Sequence, residues 1–339
     1  MSRHCTLVAD DEFGPVVSSC RDNFDFTLLF EQSIFAVVPS AILLLSCAWR
    51  LLVLRKEDVK LSVSSRVGLF SRVLKQFAAA SLASIQLALL IYWSISSTRT
   101  QASIVSTALS FLASLALIFL TSIEHARSVR PSTIICIYLS FDILLSLPQC
   151  RTLWLRNQKG IGSVFTIGLV IEVIMLWLES RGKRRFLRNP YRLYPPEVLG
   201  GIWNRITLWW LNPLFRKGSS TLLTFKTLYN IDNKLSANDV YLKFQRAWES
   251  RPLPHSKNSL LLATWECFRS PLMLMGFPRL LLIGFKFAQP LLILRVTSFL
   301  SDSSGDKNSA YGLIGAAGLI YLGLAVSPTP LFFVLLLTQ

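Results

Sequence analysis

Charged residues are scarce in this sequence, filling 16% of its 339 positions against about 25% in soluble domains. With 52% of residues hydrophobic and a mean hydropathy of +0.48, an ordinary water-soluble globule is excluded. Histidine is scarcer still. His4, His125 and His255 fall on separate segments, so a zinc site has no ligand set to build on and no metal is expected. The six cysteines show no Cys-x-x-Cys spacing, and no Asn-x-Ser/Thr sequon occurs. A cleavable leader is missing too. It needs a basic start and a short apolar stretch, whereas Asp10, Asp11, Glu12, Asp22 and Asp25 make this end acidic. Residues 1–32 therefore read as an exterior tail. Cys5 and Cys20 lie on it, on an oxidising side, and both a disulfide between them and two free thiols are open.

What the sequence has in abundance is long apolar runs. Seven are near the ~20 residues that cross a hydrocarbon core: 33–54, 77–96, 102–123, 133–150, 161–178, 273–300, and one from 311 onward. They lack the alternation of barrel strands, so the expected fold is all-α, a polytopic helical membrane protein. Loop charge orients it. The segments 1–32, 97–101, 151–160 and 301–310 hold seven Lys and Arg in total, and the opposite set (55–75, the loop with Arg127 and Arg130, and 179–270) holds twenty-four. Positive loops stay in the cytoplasm, which puts the N-terminus outside or in a lumen. Trp49, Trp93, Trp154 and Trp177 lie near run ends, where an indole favours the interface.

Four domains follow: an exterior tail (1–32), a five-helix membrane domain (33–178), a cytoplasmic linker (179–270), and two further membrane helices (271–339). Asp142 and Glu172 sit midway along the fourth and fifth runs, where an ionisable group costs at least ~2.5 kcal/mol without a partner. An interhelical hydrogen bond is the expected resolution. Arg50 and Arg295, near run ends, are expected to snorkel. Lys286 lies at mid-depth, seven residues after Arg279 and one turn before Pro290. Such a cationic face beside a proline break suits a water-filled path for anionic cargo, and pairing of Lys286 with an acid on another helix fits equally.

The linker opens with Arg181, Lys183, Arg184, Arg185, Arg188 and Arg192. Such a juxtamembrane cluster is drawn to anionic cytoplasmic lipid at about 1 kcal/mol per charge; it also fixes topology. Residues 202–215 carry Trp203, Trp209 and Trp210 and are closed by Pro213 and, just beyond, Gly218. Too short to span and too apolar to float free, this stretch is expected to lie as one interfacial helix on the inner leaflet. Ser236 with Asp239 reads as a capping box for a helix that puts Tyr241, Phe244 and Trp248 on one side. A third segment, 260–268, leads into the sixth run.

At these residues a family resemblance emerges. The run Arg205-Ile206-Thr207-Leu208-Trp209-Trp210-Leu211-Asn212-Pro213-Leu214-Phe215-Arg216-Lys217-Gly218, preceded by Pro196-Glu197 and followed by Leu228-Tyr229-Asn230-Ile231-Asp232, resembles the linker of multidrug-resistance-associated ABC transporters, subfamily C. The loop Ser122-Ile123-Glu124-His125-Ala126-Arg127-Ser128, continuing to Arg130-Pro131-Ser132, is similar to a loop of fungal members. The resemblance covers nearly all of residues 25–327. It implies a five-helix N-terminal domain, a lasso-like linker with an elbow helix at 202–214, and the first two helices of a transport domain. Full members export organic anions, glutathione conjugates and drugs, using ATP and Mg. The implied partners are the lipid bilayer, anionic lipid at the linker, and further transmembrane and nucleotide-binding domains; nucleic acid is not expected.

The departures are equally informative. A phosphate loop needs a Gly-rich turn ending in Gly-Lys-Ser/Thr. The one Gly-Lys pair, Gly182-Lys183, is followed by Arg184 and has Trp177 where the first Gly should stand. Neither catalytic nor ATP-binding residues nor a cofactor are expected here. Residues 328–339 depart from the family pattern, and a truncated or mis-spliced gene would account for both facts. Two other readings compete: a stand-alone membrane docking module, and a heptahelical receptor, which the ninety-residue linker and the cytoplasmic position of Asn189-Pro190-Tyr191 oppose.

Overall fold

The computed structural model describes residues 10–14, 26–58, 66–183, 187–188, 191, 194–229, 237–250, 258–301 and 307–326. The described residues form helices and connecting turns, with no strand among them. Two compact units divide the chain, residues up to Trp210 and residues from Leu211 on.

The first unit is built on five membrane-spanning helices: α1 (Leu28–Arg55), α2 (Arg66–Ile95), α3 (Ser103–Arg127), α4 (Thr133–Leu155) and α5 (Lys159–Ser180). α1 starts where the Thr27 hydroxyl accepts the Phe30 amide proton, and it then widens into a π-helical stretch over Glu31–Val37. The reason lies in Pro39. A proline has no N–H and its ring collides with the carbonyl four residues back, and a wider turn relieves both. α2 lies along α3 and α5, α4 along α5, and α1 along α3 and α4. One large side chain per helix meets at the centre: Leu43, Leu82, Leu117, Leu139 and Met175. Lipid tails are as apolar as leucine, so the helices associate by close packing. Fully buried Ala79 and Ala113 permit it between α2 and α3. Leu45, Phe77, Phe119, Phe141 and Val170 point outward, one from each helix.

Two expectations change here. α2 begins eleven residues before the run at 77, because Lys75, read as a loop charge, is buried inside the bundle. Trp93 also faces inward, packed with Leu28, Leu89, Leu153 and Ile161, while Trp49, Trp154 and Trp177 stay exposed at helix ends.

After α5 the first unit ends in two short helices, α6 (Pro196–Leu199) and α7 (Ile202–Ile206). The stretch expected as one interfacial helix is therefore broken. Leu208 takes a left-handed backbone with φ of 54°, a 3-10 turn covers Trp209–Leu211, and a new helix, α8 (Asn212–Gly218), starts beyond it. Pro213 opens this helix instead of closing one, its fixed φ suiting a first turn.

The second unit continues with α9 (Ala237–Glu249), α10 (Ser259–Ser301) and α11 (Lys307–Val326). In α9 the rings of Phe244 and Trp248 stack at 6.4 Å, as the expected one-sided placement requires; Ser236 lies outside the described residues. α10 absorbs the segment at 260–268 and runs unbroken for 43 residues. Pro290, expected to kink or open the helix, lies within it. Arg279–Ser301 is long and apolar enough to span, and α11 carries a shorter apolar stretch, Ala310–Ala325. A side chain at Gly323 would run into the Phe285 ring, so α10 and α11 approach closely there.

Candidate functional site

At one end of the five-helix bundle, charged side chains tie the helices to the start of the linker. Glu124, near the end of α3, is 1% exposed and its Oε1 accepts from Arg50 Nε at 2.8 Å. Arg50 thus pairs across helices instead of snorkelling. Lys75 of α2 pairs with Glu179 at the end of α5, both side chains being buried. Arg127 Nη1 donates to the Leu54 and Arg55 carbonyls, both at 2.8 Å, closing the C-terminal end of α1. His125 Nε2 meets the Gly68 carbonyl at 3.2 Å. The last carbonyls of a helix lack intrahelical donors, and cations that reach them also oppose the negative end of the dipole.

Lys183 also reaches a carbonyl at a helix end, one that already accepts the Ser128 amide, and overturns an expectation. Read as one of a lipid-facing cluster, it is 2% exposed, and its Nζ donates to the Glu124 carbonyl at 3.0 Å. Burial, with Lys75 adding to it, pulls the ammonium down to about 8, against the pull of Glu179 and Glu124. The linker is held by shape as well. A Cβ at Gly201 would lie 3.0 Å from the Ser180 carbonyl and 3.4 Å from Pro131, so the N-cap of α7 sits directly on the end of α5. Ile202 and Arg205 are buried, while Trp203 and Trp209 remain exposed. Of the remaining basic cluster, the Arg181 guanidinium lies 3.7 Å over the Trp177 ring and Arg188 is exposed; Arg184, Arg185 and Arg192 lie outside the described residues.

Within the bundle a cavity of about 30 Å³ receives side chains from all five helices. Asp142 and Glu172 both reach it, joined by Gln86, Ser106, Thr107 and Gln149. Tyr138, one turn back on the same helix, is a neighbour of Asp142, and Ser40 of α1 meets Ser110 of α3 at 3.4 Å between hydroxyl oxygens. The cavity lining carried a sequence signal that went unread. Asp142, Ser146 and Gln149 fall at i, i+4 and i+7, and Phe165, Gly168 and Glu172 at i, i+3 and i+7, the spacing of one helix face.

Other candidates stand apart. Arg279 and Lys286 are exposed on α10 within the second unit. Cys5 and Cys20 lie outside the described residues.

A five-helix membrane bundle with a linker docked on one end defines a class, and sequence comparison assigns it. Residues 6–166 match the family described as the ABC transporter TMD0 domain. The chain carries a TMD0 domain and corresponds to the N-terminal part of ABC transporters. It is 38% identical over 323 residues to ABC-type transporter FG02316 of Gibberella zeae, covering 94% of this chain and 22% of that one. ABC multidrug transporter B of Aspergillus fumigatus is 36% identical over 316 residues, 91% of this chain and 21% of that one. ABC multidrug transporter lscH of Purpureocillium lilacinum is 35% identical over 328 residues, 94% and 21%. This chain thus spans about a fifth of the length of these relatives, and it is a multi-pass membrane protein.

Proposed function

We propose that the chain serves as the N-terminal membrane domain, linker and first transport-domain hairpin of an ATP-driven exporter of organic anions, conjugates or drugs, in a plasma or vacuolar membrane. The supporting observation is the docked linker. Gly201 and Lys183 hold its first part on the bundle, so the TMD0 domain is a fixed footing for whatever the linker is attached to. The N-terminus lies outside or in the lumen, because the clamp belongs to the end that holds most of the Lys and Arg between the apolar runs. Arg181 and Arg188 face anionic lipid beside Trp203 and Trp209, and Arg279 and Lys286 line the cargo path. ATP and Mg bind on nucleotide-binding domains of the partner kind, outside this stretch of sequence.

A chimera tests the reading. With this chain replacing the corresponding part of ABC multidrug transporter B, inside-out vesicles should accumulate a fluorescent organic anion in an ATP-dependent manner. A chimera that reaches the membrane yet shows the same uptake with and without ATP overturns it, and favours the stand-alone docking module.

A further inference from the structure

The cavity in the bundle calls for a ligand that the exporter reading does not supply. Glu172 is 4% exposed, and its Oε2 lines up with the cavity wall without a hydrogen-bond partner among the described residues. A buried carboxylate oxygen left so is expensive in any low-dielectric interior, and more so at mid-membrane. Beside apolar Leu89, Phe165 and Leu169, the lining brings several side-chain oxygens with free lone pairs. Ser106 donates its hydroxyl proton to the Ser103 carbonyl at 3.2 Å, and Thr107 donates to the same carbonyl at 2.7 Å. Their oxygens therefore face the cavity as acceptors. Gln86 and Gln149 add amide oxygens, and the described lining includes no Lys, Arg or His.

Acceptors converging on a carboxylate, with no cation of the chain among them, make a site for a hard cation. We propose that this cavity binds a small monovalent cation, coordinated by Glu172 and Asp142 with hydroxyl and amide oxygens of α2, α3 and α4. The cost of dehydration selects the charge: by Born's argument it grows with the square of the charge, which disfavours a divalent ion in this setting. The volume suits it. About 30 Å³ exceeds the roughly 10–15 Å³ that one water requires, leaving room for an ion and a residual water.

Sodium is the probe, and the test is independent of whether the chain works in an exporter. The full chain, purified in nanodiscs, is unfolded thermally in choline chloride, with sodium chloride replacing choline at constant ionic strength. Exposure of the buried thiols of Cys47 and Cys136 to a fluorogenic maleimide reports the midpoint. Sodium should raise it saturably by about 3 °C. Glu172→Gln should abolish the rise, and the milder Ser146→Ala should shift the sodium dependence to at least threefold higher concentration. A midpoint indifferent to sodium overturns the proposal. So does a sodium response that both variants retain unchanged.

Discussion

The buried ion pairs decide how the bundle tolerates substitution at single residues. Lys75→Met leaves buried Glu179 without its ion-pair partner, a loss of about 3–5 kcal/mol in stability. Adding Glu179→Leu removes the stranded carboxyl group and should restore most of that loss, which a double-mutant cycle in detergent would measure; strictly additive losses would contradict the pairing. Lys183 makes a pH-dependent contribution. Its folded pKa lies at about 8, below its ordinary 10.5, so between these values the unfolded chain binds more protons and stability rises with pH. The stability difference between the parent and Lys183→Met should move in the parent's favour from pH 8 to 10.5 and level off on either side. A flat difference would place the Lys183 ammonium in water. At Gly201 any side chain meets the Ser180 carbonyl, so Gly201→Val should cost about 1–3 kcal/mol and expose the linker to protease ahead of the bundle.

At the level of elements, the spanning helices were legible because a run of some twenty apolar residues has one stable conformation in lipid. Their edges were not. α2 extends through Arg66, Arg72 and Lys75 because partners fixed by tertiary structure, Ser122 for Arg72 and Glu179 for Lys75, convert loop-like charges into helix. Local signals are silent about such pairs, and for the same reason Lys183 read as a lipid contact. The elbow failed differently, since Pro213 is compatible with both a helix end and a helix start, and only the left-handed Leu208 reveals which. A peptide covering residues 181–217 should still bind anionic vesicles in sedimentation, more weakly in high salt. Exposed Trp203 and Trp209 should supply the salt-resistant part at about 1.5–3 kcal/mol each by analogy with large side-chain burial. If replacing them by Ala leaves binding to neutral vesicles intact, the linker touches protein in place of lipid.

For the molecule as a whole, the charge asymmetry predicts topology. A glycosylation acceptor introduced within residues 301–310 should be modified and one near Ser236 should not, with no natural sequon to confuse the readout; the reverse pattern would falsify the orientation. The purified chain should show no saturable ATP binding, since its single Gly-Lys pair lies at Lys183, buried against the α3 terminus. That same contact has a consequence for biosynthesis. The end of α3 is closed by a side chain 59 positions downstream, and at roughly 5–20 residues per second the ribosome needs several seconds to supply it. Throughout that interval α4 and α5 must enter the bilayer with the Glu124 carbonyl held only by the Ser128 amide at 3.0 Å, its second lone pair open for the lysine. The clamp is therefore a late event in assembly, closing after the fifth helix is inserted and serving as the point at which the nascent domain becomes complete.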